Sequence, residues 1–177
     1  LEIFLKGCQK FIDVIKPIDF RVIFIGGDRP GSPDNIKVGF KREAKKYINS
    51  FIHSKYTEVS KRIPKNQVVQ QLVKSNLLYF PSFPDSPGTY ASKIFDYLAA
   101  RKNIMVVPGD NGVVDELITE TKSGTILNSS TEVFNFIHNK YLEWKKNGQL
   151  SYNGDDKKIE NYSRKSQVAR MAQLLDR

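Results

Sequence analysis

The sequence predicts an α/β fold built on a parallel sheet. One stretch carries most of that prediction. Residues 76–108 read as strand, loop, helix, strand: an apolar run at 77–80, a loop rich in Pro, Ser, Asp and Gly over 81–90, a helical pattern over 92–101 and a second apolar run at 104–107. A second observation agrees with it. Both strand runs are apolar without alternation, as strands covered on both faces are.

The remaining elements follow in chain order. Residues 2–15 form a helix stopped by Pro17, and 21–25 a strand ended by Gly26 and Gly27. That glycine pair lacks the wider spacing of a dinucleotide-binding loop. Residues 28–35 read as a loop with two prolines, and 41–52 as a basic amphipathic helix whose charges form a solvated face. A short strand is expected at 56–59, followed by the loop 60–64 and a helix over 66–74 that Pro64 leads into. After the central unit come a turn cluster at 108–112, a short helix at 113–119 and a last strand at 124–127. Ser129 and Glu132 have capping-box spacing, so a helix starts at Ser129 and runs to Lys146. Residues 147–156 read as a flexible connector. The final helix, 163–175, carries Val168, Met171, Ala172 and Leu175 on one stripe.

Composition narrows the class. The chain has 177 residues, enough for one domain with an adequate core, and an apolar content of 40%. No apolar stretch approaches the roughly 20 residues of a membrane span. The chain starts without Met, on a helical pattern with no strand before it, and is expected to be a fragment of a longer protein. Its single cysteine, Cys8, excludes an internal disulfide and fits a reducing compartment. The formal charge of +9 suits polyanions: a nucleotide diphosphate, an anionic membrane surface or, ranked last, nucleic acid. No RNA-module signature and no zinc-finger spacing is present. His53 and His138 fit no zinc spacing and read as surface or capping residues. Asp110, Asp115 and Glu116 invite a metal reading, but no Asp-x-Asp pattern accompanies them.

Chemistry concentrates at the start of the 92–101 helix. In parallel sheets ligands bind beyond the carboxyl ends of strands, where the loop 81–90 lies. The first turn of a helix offers unpartnered N–H groups and the positive end of the macrodipole, which suit a phosphate. Thr89 and Ser92 supply hydroxyls, Gly88 lets a ligand approach the backbone, and Lys93 adds a cation. Asp96 lies four residues past Ser92, on the same helix face, placed to accept hydrogen bonds from a ribose diol.

The run TYASKIFDYLAARKNIMVV resembles the SK-[IL]-[FY]-[ED]-YLA-x-[GR]-K-PI motif of family 4 glycosyltransferases. Ile63-Pro64, GVVDELITETKSG and NYSRKSQVARMAQLL agree in order, so the likeness covers nearly all of the chain after about residue 20. It implies a Rossmann-like, three-layer α/β/α domain with a parallel sheet, one half of a GT-B fold. Residues 1–177 would be the C-terminal, nucleotide-sugar-binding domain, with the N-terminal acceptor half absent. The implied activity of the whole enzyme is sugar transfer from a nucleotide diphosphate to a glycan or lipid-linked acceptor hydroxyl, as in polysaccharide biosynthesis. It would act in the cytoplasm or at the inner face of the membrane. The fragment alone would bind nucleotide without transferring sugar, and no metal would be required. In relatives the loop after the second strand lies against the base and phosphates, so Arg62 would reach toward the donor, and it reads equally as an exposed arginine on a turn.

The chain also departs from the pattern. Many members carry a second acid eight residues before the ribose carboxylate, and here that place is Gly88. Lys6-Gly7 resembles the Lys-Gly pair used on the diphosphate but reads equally as a mid-helix step. Two other functions remain open: a GT-B-fold nucleotide-sugar epimerase, and a non-catalytic nucleotide-binding module.

Overall fold

The computed structural model describes residues 1–26 and 34–175, with residues 34–42 given by their backbone alone. Gly27 and most of the expected 28–35 loop lie outside the described residues. The chain forms two compact units, residues 1–70 with 129–142, and residues 71–128 with 143–177.

The first unit is built on α1 (Glu2–Ile15), β1 (Val22–Ile25), α2 (Asp34–Phe51), β2 (Thr57–Ser60) and the start of α3 (Lys65–Lys74), with the front of α6 (Ser130–Asn147). β1 and β2 pair in parallel, Val22 opposite Thr57 and Ile25 opposite Ser60. The apolar face of α1 buries Phe4, Leu5, Cys8, Phe11 and Ile12, and Ile48, Ile52, Val133 and Ile137 of the same unit are buried as well. Cys8 is fully enclosed, and burial pushes its thiol pKa up, so it is a packing residue rather than a nucleophile. Gly7 explains the Lys-Gly step. A Cβ there would meet Val133 Cβ at 2.5 Å, so the glycine lets α1 and α6 approach closely, while Lys6 pairs with Glu2 across one helical turn at 2.6 Å. α1 ends at Lys16, which adopts the left-handed region at φ 52° ahead of Pro17.

The second unit contains β3 (Leu77–Phe80), α4 (Lys93–Ala99), β4 (Asn103–Val106), α5 (Val113–Thr121), β5 (Gly124–Ile126), α7 (Asp156–Glu160) and α8 (Arg164–Leu175). Its sheet is parallel in the order β3-β4-β5, with Phe80 opposite Val106 and Val106 opposite Ile126. Leu78, Phe80, Ile104 and Val106 meet Ile94 and Leu98 of α4, Val114, Leu117 and Ile118 of α5, and Ile159 of α7. Met105 and Val107, which alternate with Ile104 and Val106, are buried as well. β4 is thus covered on both faces, which is why its sequence shows no alternation. A Cβ at Gly124 would strike the Ile104 carbonyl, so β5 can pair with β4 only with glycine at that place.

Several expectations need correction. α2 begins at Asp34, not Lys41. α4 is two turns long, not the expected 92–101. Arg101 turns into the left-handed region at φ 53°, donates from Nη1 to the Leu98 carbonyl at 2.7 Å, and pairs with Asp156 through Nε at 2.5 Å. The connector at 147–156 leads into α7, whose N-cap Asp155 accepts from the Lys158 N–H at 3.1 Å. Ser129 caps α6 as expected, accepting from Glu132 N–H at 3.2 Å. Among the described residues no helix is long and apolar enough to cross a membrane.

Tyr162 ties α7 to α5 through a hydrogen bond from its hydroxyl to Glu120 Oε2 at 2.6 Å. That bond first, and burial after it, push the Tyr162 pKa up to about 12. A tyrosine in an unfolded chain titrates near about 10. The bond therefore stabilises the fold fully below about pH 10, and its contribution is lost as the pH rises toward about 12. Melting curves of the parent and Tyr162→Phe should differ most below about pH 10 and converge above it. A difference that stays constant with pH would contradict this.

Candidate functional site

The parallel strands of the second unit end on one edge, and three loops gather there. The first runs from Pro81 to α4, the second from Val107 to α5, and the third from Leu127 toward α6. Backbone hydrogen bonds extend the ladders past the strand ends: Val107 N–H donates to Phe80 O at 3.0 Å, and Leu127 N–H to Val106 O at 2.9 Å. Ser82 Oγ donates to the carbonyl of Pro108, which follows a cis peptide bond. Gly109 N–H donates to Asn128 Oδ1 at 2.8 Å. Val113 N–H donates to Pro87 O at 2.9 Å. A Cβ at Gly112 would collide with that Pro87 carbonyl, so this glycine permits the first and second loops to touch. The rim is cross-braced, and turns at Phe83–Ser86 and Ser86–Thr89 stiffen the first loop internally.

The acidic residues of the second loop are engaged by the backbone. Asp110, only 3% exposed, accepts from the N–H groups of Gly112, Val114 and Asp115 at 3.0, 3.3 and 3.1 Å. Asp115 accepts from Asp110 and Asn111 N–H at 3.2 and 2.9 Å. The start of α5, an otherwise attractive anion site, is therefore filled by the protein's own carboxylate.

The start of α4 is different. Ser92 stands at its N-cap without a side-chain cap hydrogen bond. Ile94 and Leu98 turn into the core, which leaves Ser92, Lys93 and Asp96 exposed on the outer face. Among the described residues, none forms an ion pair or side-chain hydrogen bond with Lys93 or Asp96, although Lys102 follows within the same segment. Gly88 and Thr89 are exposed on the loop just before, and a Cβ at Gly88 would meet nothing within 4 Å, so packing does not require the glycine. Gly88, Thr89, Ser92, Lys93 and Asp96 thus share one short exposed segment at the carboxyl edge of the sheet. Arg62 belongs to the first unit, exposed on the loop after β2, again beyond a strand's carboxyl end.

An aromatic row beside this segment escaped the sequence reading. Tyr90 leans on Phe95 with ring centroids 5.5 Å apart, and Phe95 stacks on Tyr162 at 6.5 Å and 27°. Burial first, and then the charges of Glu116, Glu120 and Asp110, raise the Tyr90 pKa. The aromatics at 90, 95 and 162 hold no periodic relation, so only the fold assembles them. In the first unit Tyr141 is a packing residue: its ring lies 5.3 Å from Phe11 and its hydroxyl donates to Asp19 Oδ1 at 2.7 Å. His53 caps the short turn after α2, accepting from Lys55 N–H at 3.1 Å, and His138 stacks on Phe134.

The geometry can be set beside known proteins. No protein-family model matches the chain, and no curated protein matches it in sequence. A solved structure does match: Anabaena HepE in complex with UDP-glucose, with a TM-score of 0.69 and 15% identity. The match covers 99% of this chain and 44% of that one. At such identity the likeness shows the fold, a Rossmann-like three-layer α/β/α arrangement with parallel strands that forms one half of a GT-B fold.

Proposed function

We propose that residues 1–177 form the donor-binding half of a glycosyltransferase of the family 4 type, taking a nucleotide-diphosphate sugar for transfer to a glycan or lipid-linked acceptor. The observation that carries this reading is the uncommitted trio Ser92, Lys93 and Asp96 at the start of α4, exposed where a parallel sheet of this fold receives ligands. The UDP-glucose bound by HepE, which shares the fold, supports the choice of ligand class. The diphosphate lies against the Thr89 and Ser92 hydroxyls and Lys93. The ribose hydroxyls meet the Asp96 carboxylate. Stabilising the leaving diphosphate by these fixed charges is the chemical contribution of this half.

The exposed stripe of α8 suits the same reading. Val168 and Met171 are each 66% exposed and Leu175 is 79% exposed, a face that the acceptor half of a GT-B enzyme would cover. Peripheral contact of the whole enzyme with an anionic membrane at the cytoplasmic face agrees with the charge of +9.

The Lys93 ammonium at the diphosphate place makes a divalent metal dispensable. Melting the chain with UDP, GDP, ADP or dTDP, each with EDTA and with Mg²⁺, should show one nucleotide that raises the melting temperature equally under both conditions. An affinity about tenfold weaker in EDTA, about 1.4 kcal/mol, would contradict metal independence. No shift with any nucleotide would contradict donor binding itself.

A further inference from the structure

The aromatic row bears on the donor's sugar, and this step rests on the donor reading above. Tyr90 lies on the rim between Thr89 and Ser92, the two hydroxyls assigned to the diphosphate. Its ring remains 39% exposed, although it leans on Phe95. The row behind it is fixed in place: Phe95 contacts the core, stacks on Tyr162, and Tyr162 is held by its hydrogen bond to Glu120. A partly exposed aromatic anchored on its neighbours is suited to the apolar face of a pyranose, whose C–H groups pack on the ring.

The charge around it is one-sided. Glu116 and Glu120 are both exposed and lie one helical turn apart on α5. Their fields reach the Tyr90 hydroxyl, as does that of Asp110. Carboxylates accept hydrogen bonds from sugar hydroxyls well and repel a sugar that itself carries a carboxylate. We infer that Tyr90 is the stacking platform for the donor's sugar ring, and that the Glu116 edge of α5 restricts this sugar to an uncharged hexose and rejects a uronate. The residue acts on specificity and leaves binding of the nucleotide portion alone.

Calorimetry separates the possibilities. The ligands are the nucleoside diphosphate that the melting panel selects, its neutral hexose conjugate (UDP-glucose in the uridine case) and the matching uronate conjugate (UDP-glucuronate). The parent should bind the hexose conjugate about tenfold more tightly than the uronate. Tyr90→Ala should weaken the hexose conjugate about tenfold with the bare diphosphate within about twofold of the parent, and Tyr90→Phe should restore binding. Glu116→Gln should narrow the hexose-to-uronate gap. Equal loss of the diphosphate and the hexose conjugate in Tyr90→Ala would place the base or phosphate, not the sugar, on the ring and overturn the inference. An unchanged ratio in Tyr90→Ala, or equal binding of hexose and uronate by the parent, would overturn it too. Absence of binding by every diphosphate would remove the donor reading, and this inference with it.

Discussion

Replacing Asp110 by alanine should lower the stability of the chain by about 2–4 kcal/mol. Its carboxylate is buried and satisfies three N–H groups at the start of α5. Alanine would leave those donors unanswered in a place water hardly reaches. Loss of an ordinary helix cap costs about 0.5–2 kcal/mol, and a buried unsatisfied donor adds about 1–3 kcal/mol. For a chain of this size the melting temperature should fall by roughly 5–15 °C. Asp110→Asn keeps the shape and one acceptor, so its cost should be smaller. The damage should also spread to the rim, because the loop from Val107 to α5 meets Pro87 through Val113 and Asn128 through Gly109. A melting temperature for Asp110→Ala within about 2 °C of the parent would show that solvent replaces the cap freely.

The largest effect on binding should come from Asp96. An exposed ion pair at this place would contribute roughly 0–1 kcal/mol, and no described residue forms one with it. A carboxylate that accepts ribose hydroxyls makes charge-assisted hydrogen bonds worth about 1.5–3 kcal/mol each. Asp96→Asn should therefore weaken a nucleoside and its diphosphate alike, by roughly tenfold to a hundredfold, with the melting temperature of the free chain nearly unchanged. Lys93→Ala should weaken the diphosphate and hardly touch the nucleoside, since only the diphosphate carries the charge that the ammonium meets. Unaltered binding of both ligands by Asp96→Asn would move the ribose to another face.

What the sequence made legible follows from where the signal lies. α1 and β3 fall on the expected residues because a strong apolar pattern and a proline bound each one. The start of α4 and its exposed face were legible because Ile94 and Leu98 mark the buried side at helical spacing. The first turns of α2 carried no such signal: residues 34–40 include Gly39, and Ile36, Val38 and Phe40 alternate rather than recur at helical spacing. α7 was missed because five residues are too few for periodicity, although Asp155 ahead of Lys158 was a capping clue. The rim contacts were illegible for another reason. Ser82 with Pro108, Pro87 with Val113 and Tyr162 with Glu120 are distant in sequence and meet only after the sheet forms. The role of Asp110 shows the same limit. In sequence its carboxylate raises a metal reading that the missing Asp-x-Asp pattern sets aside, with no hint that the fold turns it onto backbone N–H groups.

A structure of the chain soaked with the nucleoside diphosphate that raises its melting temperature tests the central claim most directly. The diphosphate should lie at the start of α4, within hydrogen-bonding distance of Ser92 and Lys93, with the ribose hydroxyls on Asp96. A nucleotide bound elsewhere, with Lys93 and Asp96 still facing solvent, would contradict the account.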